Sequence, residues 1–316
     1  MSLLLARRVL TLALTLIVVS VTVFAVMNVL PGDPALVILG IDSSPEALAA
    51  LRERLGLDRP VVERYFDWVG GALRGDMGTS ISFQVPVSDL IVERLPITVP
   101  LALMATLMTV LVALALGITA AMNHGRPGDW AVMTLSQFGI AVPAFWLAIL
   151  LVLLFAVQLR WLPPGGFPGW DDPVAAFRAL LLPTVALALV QSAILARVTR
   201  SSILEVMRLD YARTARAKGL SRREVLLRHV LPNALIPIVT IIGLQFANLV
   251  TGTIVIENVF YLPGLGRLIF QSITNRDLFT VQALVLFFAV MVVVANFLVD
   301  LAYILADPRL RKGRAG

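Results

Sequence analysis

Six apolar runs, most at or above the roughly 20 residues needed to cross a bilayer, limit what this chain can fold into; they cover residues 9–30, 97–122, 130–159, 179–198, 235–256 and 281–305. Hydrocarbon offers no partner for backbone N–H and C=O groups, so such segments fold as helices whose hydrogen bonds stay within the segment. The expected fold is an all-α membrane protein with six transmembrane helices. Composition points the same way, since 59% of the 316 residues are hydrophobic against about 45–50% in soluble domains. No cysteine is present, which excludes disulfides, thiolate nucleophiles and cysteine-ligated zinc.

The first run follows Arg7 and Arg8, as a signal peptide would, and Val23 and Ala25 imitate a cleavage pair. The apolar stretch exceeds the roughly 7–15 residues of a signal core, so residues 1–30 are read as the amino-terminal end and a retained first span. Residues 31–96 form a polar insertion in which acids outnumber arginines, expected to be a small extracytoplasmic cap. Within it Ser44-Pro45-Glu46 starts a helix with Leu48, Leu51 and Leu55 on one face and Gly56 at its end. A second helix is expected from about Asp58-Arg59-Pro60 through Tyr65, Trp68 and Leu73, and then an extended segment or hairpin around Ile81 and Phe83. Residues 97–305 make a five-span core. The short Asn123-to-Asp129 turn makes the second and third spans antiparallel neighbours, and Pro143 is expected to kink the third. Residues 261–280 are expected to be an external segment with a turn at Pro263, Gly264 and Gly266. Sixteen of the 26 Lys and Arg residues fall in residues 1–8, 123–129, 197–228 and the tail at 306–316. Because basic loops stay on the inner side, both termini are expected to be cytoplasmic.

One long polar, basic segment lies between spans, in a loop at 201–234. From Asp210 to Pro237 it reads as two short helices with a bend: Asp210 as N-cap, Gly219 at the left-handed position after the first helix, Ser221 and Glu224 as a capping box for the second, and Pro232 closing it. Asp210, Tyr211, Ala212, Arg213, Thr214, Ala215, Arg216, Ala217, Lys218, Gly219 and Leu220 are the expected docking residues, small side chains admitting another surface and cations orienting it. The competing account is that the basic residues only set topology. Gly219 stands in a spaced pattern, with Arg213-Thr214-Ala215 before it and His229-Val230-Leu231-Pro232 after nine residues.

Polar residues inside the spans are Gln191 in the fourth, Gln245, Asn248, Thr251 and Thr253 in the fifth, and Asn296 and Asp300 in the sixth. The four of the fifth span are spaced to share one face, and with Gln191 are the pathway-lining candidates; hydrogen bonding between helices is the alternative role. A secondary transporter or channel also accounts for six spans, but no intramembrane charge cluster for ion coupling is present. No catalytic or metal-binding residues are assigned: H-E-x-x-H and G-x-S-x-G are absent, and His124 and His229 stand apart.

The spaced pattern around Gly219 resembles the EAA loop of ABC-transporter permeases, Glu-Ala-Ala, three residues, Gly, nine residues, Ile, one residue, Leu-Pro. Ala215, Gly219, Leu231 and Pro232 match; Arg213, Thr214 and His229 depart. Further strings resemble the permeases of dipeptide, oligopeptide and nickel ABC importers: LPGDP at 30–34, LGLDRPVVERYFDWV at 55–69, LPITVPLAL at 95–103, RTARAKGL at 213–220, GLGRL at 264–268 and DPRLR at 307–311. In that family Arg-Thr-Ala commonly replaces Glu-Ala-Ala. The resemblance implies the six-helix fold of type I ABC importers, in a prokaryotic inner membrane, and a permease that forms half of a translocation pathway. It also implies partners: a second homologous permease, two ATP-binding subunits and an extracytoplasmic substrate-binding protein, with no nucleic acid. The cargo it implies is di- or oligopeptides, with nickel, glutathione or sugar as alternatives. No cofactor is expected on this chain, because G-x-x-x-x-G-K-S/T is absent and the lysines are Lys218 and Lys312; ATP and Mg would be used by the partner subunits.

Overall fold

A computed structural model describes residues 2–29, 34–40 and 43–306. Most of the Leu30-to-Pro34 string, Asp42, and the tail with its Asp307-to-Arg311 string lie outside these residues, and the side chain of Asp300 is likewise outside the description. Among the described residues, regular structure is helical apart from one antiparallel bridge between Thr79 and Pro86. The helices are α1 Ser2–Val29, α2 Pro34–Leu39, α3 Pro45–Arg54, α4 Val61–Leu73, α5 Val87–Met122, α6 Pro127–Ala141, α7 Ala144–Leu151, α8 Pro173–Met207, α9 Asp210–Ala217, α10 Arg222–Val225, α11 Leu231–Val259, α12 Leu265–Thr274 and α13 Leu278–Ala306. Wider π turns at Val152–Gln158 and Leu226–Val230 extend α7 and join α10 to α11.

By length and composition α1, α5, α8, α11 and α13 can each cross a membrane, and α6 with α7 and its π turn, bent by 102°, has the apolar length of a sixth, broken span or of a re-entrant loop. The bend exceeds the kink expected at Pro143. Proline disfavours the helical conformation in the residue before it; Val142 (φ −87°, ψ 125°) and Pro143 (φ −64°, ψ 135°) are both extended, and the helix restarts only at Ala144. Two other spans belong to helices longer than their apolar runs. α5 begins at Val87 and α8 occupies Pro173–Met207, because Asp89, Glu93 and Arg94 in one and Arg178, Arg197, Arg200 and Glu205 in the other interrupt hydropathy without interrupting the backbone.

The chain divides into two compact units, one of Leu4–Thr98 with Pro263–Val293, the other of Met1–Leu3, Val99–Leu262 and Val294–Gly316. In the second of these, α8 is central: it packs on α6, α7 and α11 and buries Leu180, Leu187, Leu195 and Ile203. Apolar packing between helices in lipid depends on close approach at small residues, and Gly117 of α5 provides it. A Cβ there would lie 2.5 Å from Thr199 Cβ on α8. Gly117→Val should therefore force the two helices apart at a cost of about 1–3 kcal/mol, visible as a lower unfolding temperature of the purified protein in lipid.

In the other unit, the insertion folds largely as its sequence indicates. Ser44 caps α3, accepting from Ala47 N at 3.2 Å, and Gly56 takes φ +66° just beyond it. The segment around Ile81 is a tight loop rather than a hairpin, since a single bridge closes it. Buried Asp277 holds that loop, accepting from Ser80 Oγ at 2.5 Å and Ser82 N at 3.2 Å, and also caps α13 through Thr280 N at 3.3 Å. The segment 261–280 contains α12, which buries Leu265, Leu268, Ile269 and Ser272 along one side, with Leu265 N donating to Thr98 Oγ1 at 2.8 Å.

Candidate functional site

Leu209 is the one extended residue between α8 and α9 (φ −71°, ψ 150°), so it occupies the cap position and Asp210 becomes the first helical residue. The expected N-cap role of Asp210 is thus corrected; its fully exposed carboxylate lies in the first turn, 3.8 Å from Arg213, where negative charge complements the helix dipole. α9 ends in a Schellman motif. Gly219 N donates to Arg216 O at 2.9 Å and Leu220 N to Ala215 O at 3.4 Å, with Gly219 at φ +89°. Ser221 then opens α10 in a reciprocal capping box with Glu224: Glu224 N donates to Ser221 Oγ at 3.3 Å and Ser221 N to Glu224 Oε2 at 2.9 Å. The Ser221 hydroxyl and N–H hold the Glu224 carboxyl below the usual carboxylate range, so this contribution is present at neutral pH and fades as pH falls through that lowered value. Ser221→Ala should raise amide exchange in α10 about fivefold, a typical cap effect, measured by hydrogen exchange.

Pro232 does not close α10. The helical path runs on through the π turn into α11, and Pro232 sits in the first turn of α11. Proline has no N–H to donate, and in the wider register Leu231 N reaches Leu226 O.

The bend is fastened to its own bundle by part of its small residues. Ala212, Ala215, Val225, Leu226 and Val230 are buried with Ala121 of α5, Ile203 and Met207 of α8 and Ala234 of α11, and Leu220 packs at the edge. Ala212 and Ala215 are therefore used internally. The exposed surface consists of Asp210, Tyr211, Arg213, Thr214, Arg216, Ala217, Lys218 and Gly219, a polar, basic helix face with two small side chains, Thr214 and Ala217, one turn apart.

A second feature of this end of the unit is a buried ion pair. Asp129, in the first turn of α6, is almost wholly buried and receives Arg200 of α8 in two bonds, Nε to Oδ1 at 2.5 Å and Nη2 to Oδ2 at 2.7 Å. Gly125 N also donates to Oδ2 at 3.0 Å, and His124 Nδ1 lies 3.0 Å from both Asp129 Oδ2 and Arg200 Nη2. Such a bidentate, charge-assisted pair fixes geometry as well as energy. It ties the 123–129 turn to α8 seven residues before that helix ends at Met207. The signal available in the sequence was an arginine inside an apolar helix and a single acid in an otherwise neutral or basic turn.

The proposed pathway residues divide. Gln245 and Thr253 are buried; Gln245 Nε2 donates to the Gln191 carbonyl at 3.0 Å and Thr253 Oγ1 to Val250 O at 2.7 Å. Asn248 and Thr251 lie instead on the exposed side of α11, in register with Asn233, Pro237, Thr240, Leu244 and Val255. Positions 245 and 253 are eight residues apart, and 248 and 251 three, so the two pairs fall on different faces of a 3.6-residue helix. Gln191 is half-buried, and it is the carbonyl of Gln191 that meets Gln245.

Residues 113–312 match the family model described as the binding-protein-dependent transport system inner membrane component, and residues 1–102 match its amino-terminal counterpart. A protein of Brucella abortus (strain 2308) named as a peptide transport system permease is 45% identical over 312 residues, covering 98% of this chain and 99% of the relative. A probable peptide ABC transporter permease protein of Sinorhizobium fredii is 40% identical, covering 96% and 98%. The glutathione transport system permease protein of Salmonella choleraesuis is 41% identical, covering 96% and 97%. In fold the chain is similar to the inward-facing methionine ABC transporter, with a TM-score of 0.57 at 18% identity over 69% of this chain and 96% of that one. An amino acid ABC transporter crystallised with histidines gives a TM-score of 0.51 at 19% identity, over 68% and 94%. The chain belongs to the family of binding-protein-dependent transport system inner membrane components: it is a multi-pass ABC importer permease, a transport subunit in a system whose ATP hydrolysis is carried out by other subunits.

Proposed function

We propose that this permease carries peptides, and that α9 is the element through which ATP-binding partners drive it. The observation that carries the coupling role is the construction of the Asp210–Leu220 segment. Buried Ala212 and Ala215 fasten it to α5 and α8, while Tyr211, Arg213, Thr214, Ala217 and Lys218 face outward. A rigidly held, exposed, basic helix can seat in a cleft on another subunit and pass its movement to the spans it is packed on, a rigid-body switch of the hinge or shear kind. The partners are two ATP-binding subunits using ATP and Mg, a second homologous permease that completes the pathway, and an extracytoplasmic binding protein that delivers cargo above the 31–96 insertion. The basic loop and both termini lie on the cytoplasmic side.

Peptide cargo is supported by the names of the Brucella and Sinorhizobium relatives, and the Salmonella relative's glutathione is itself a tripeptide. For the pathway, the exposed side of α11 with Asn248 and Thr251 faces the second permease, while Gln245, bonded to the Gln191 carbonyl, holds α11 to α8. The test is ATPase activity of this chain co-assembled in lipid with its neighbouring permease, ATP-binding subunits and binding protein, over a panel of di- and oligopeptides, glutathione, nickel and sugars. Stimulation by peptides is the expected result. Stimulation by nickel or a sugar alone would overturn the cargo and keep the coupling, and failure to assemble with any ATP-binding subunit would overturn both.

A further inference from the structure

We propose that α4 of the insertion is an interfacial membrane helix, immersed in the outer part of the bilayer beside α1 with its free apolar face against lipid, rather than part of a water-borne cap. Its position is fixed by α1. Tyr65 Oη and Ser20 Oγ are hydrogen-bonded at 2.8 Å, and Phe24 of α1 packs against Tyr65 and Trp68 with ring centroids 5.4 and 5.7 Å apart. α1 is apolar enough to span from Arg8 to Val29. At 1.5 Å per residue, Ser20 lies roughly 18 Å along the helix from Arg8 and roughly 13 Å from Val29, and Phe24 roughly 8 Å from Val29. The residues that hold α4 are thus inside the apolar length of the span. Phe24 lies within the roughly 5–10 Å to which interfacial helices bury their apolar face, and Ser20 marks the deeper edge of the contact. This placement requires only that α1 crosses the membrane, whatever the cargo and the mode of ATP coupling.

The faces of α4 match that placement. Tyr65 and Trp68 turn toward α1. Beside them, on a side left largely open among the described residues, Val62 (65% exposed), Phe66 (66%) and Leu73 (84%) form a second apolar face. Glu63 and Asp67 occupy the remaining side, where Arg59 reaches both, at 3.3 and 2.6 Å. An amphipathic helix floating in water would leave Phe66 and Leu73 exposed without compensation, whereas at the interface the charged edge meets headgroups and water while both apolar faces stay out of water. The free face is also continuous in character with α1, whose Ile17, Val18, Val21 and Val26 are exposed in the same way and must meet lipid if α1 spans. A binding protein is the other occupant to consider, but a water-borne partner cannot reach the level of Ser20 without displacing lipid.

The chain has no cysteine, so single Phe66→Cys, Glu63→Cys and Val18→Cys variants can carry a spin label in the assembled transporter, with cysteine-free partners, in lipid nanodiscs. Collision rates with oxygen, which concentrates in hydrocarbon, and with a water-soluble nickel chelate are compared by electron paramagnetic resonance. The expected result is an oxygen-to-nickel ratio at Phe66 severalfold above that of Glu63 and below that of Val18, which lies at mid-span. A Phe66 ratio equal to that of Glu63 would place α4 in water, and shielding of Phe66 from both reagents would place it under a protein partner; either overturns the proposal. Should Val18 itself report water, the spanning role of α1 fails and the proposal falls with it. No outcome depends on transport, so a failure of the coupling reading leaves this test intact.

Discussion

Replacing Arg200 by leucine should destabilise the permease by about 3 kcal/mol, the size expected when one partner of a buried ion pair is removed, and its unfolding temperature in lipid should fall accordingly. Asp129 is the reason. Its carboxylate is nearly buried, and of the groups that bond it, two donors come from Arg200 and one from the Gly125 backbone. Without the guanidinium a buried charge keeps one N–H and the half-exposed His124 ring. Asp129→Leu should be costly for the converse reason, but less so, because Arg200 sits in a partly open position and can turn its charge to solvent. The double variant Asp129→Leu/Arg200→Leu should be milder than the sum of the single changes, since it leaves no unpaired charge. Unfolding of all three variants at the wild-type temperature would show that the pair contributes nothing. The bond also joins α6 to α8 close to the point where α8 leads into α9, so in the coupling proposed above Arg200→Leu should lower uptake per ATP hydrolysed, even at a temperature where the variant is fully folded.

Much of this architecture was legible because lipid leaves few options. An apolar run of adequate length must be helical, and its flanking basic residues bias its direction; the spans, α3, α4 and the bend at Gly219 follow from local chemistry of that kind. What the sequence did not reveal depends on register and partners. Asp129 and Arg200 are 71 positions apart, and although each stands out locally, nothing local pairs the one with the other. The face on which Ala212 and Ala215 lie is decided by what α5 and α8 offer at their ends, so the small residues read as a docking surface are half used in fastening the helix. α12 is hard to see in the sequence although Leu265, Leu268, Ile269 and Ser272 carry a helical spacing, because Pro263, Gly264 and Gly266 signal a turn at its start. Proline acts differently at 143 and 232 from what its local sequence indicates. In the first case both Val142 and Pro143 became extended; in the second a π turn kept the helix continuous.

The bend after α9 should be the most sensitive point for coupling. Gly219→Pro is expected to reduce uptake by at least about tenfold, from a perturbation of about 3 kcal/mol or more, while Gly219→Asn keeps most of the activity. Gly219 stands at φ +89° and its N–H closes onto Arg216 O. Proline holds φ near −65° and has no N–H, so it cannot adopt that geometry or make that bond. Asparagine keeps the N–H and tolerates the left-handed region, and open space surrounds the position where its Cβ would stand. Steric size is therefore not at issue, and the pair of variants isolates backbone conformation. Loss of the Schellman closure would let α9 swing away from Ala121, Ile203 and Met207, so that movement of a bound ATP-binding subunit no longer reaches α5 and α8. The measurement is uptake and ATPase rate of the assembled transporter in lipid, at matched expression and with unfolding temperature as a control for gross misfolding. Hydrolysis that persists without uptake in Gly219→Pro is the signature of a severed connection. Full uptake in that variant would remove the Asp210–Leu220 segment from the coupling path, and equal loss in Gly219→Asn would mean that this position is sensitive to any side chain rather than to its conformation.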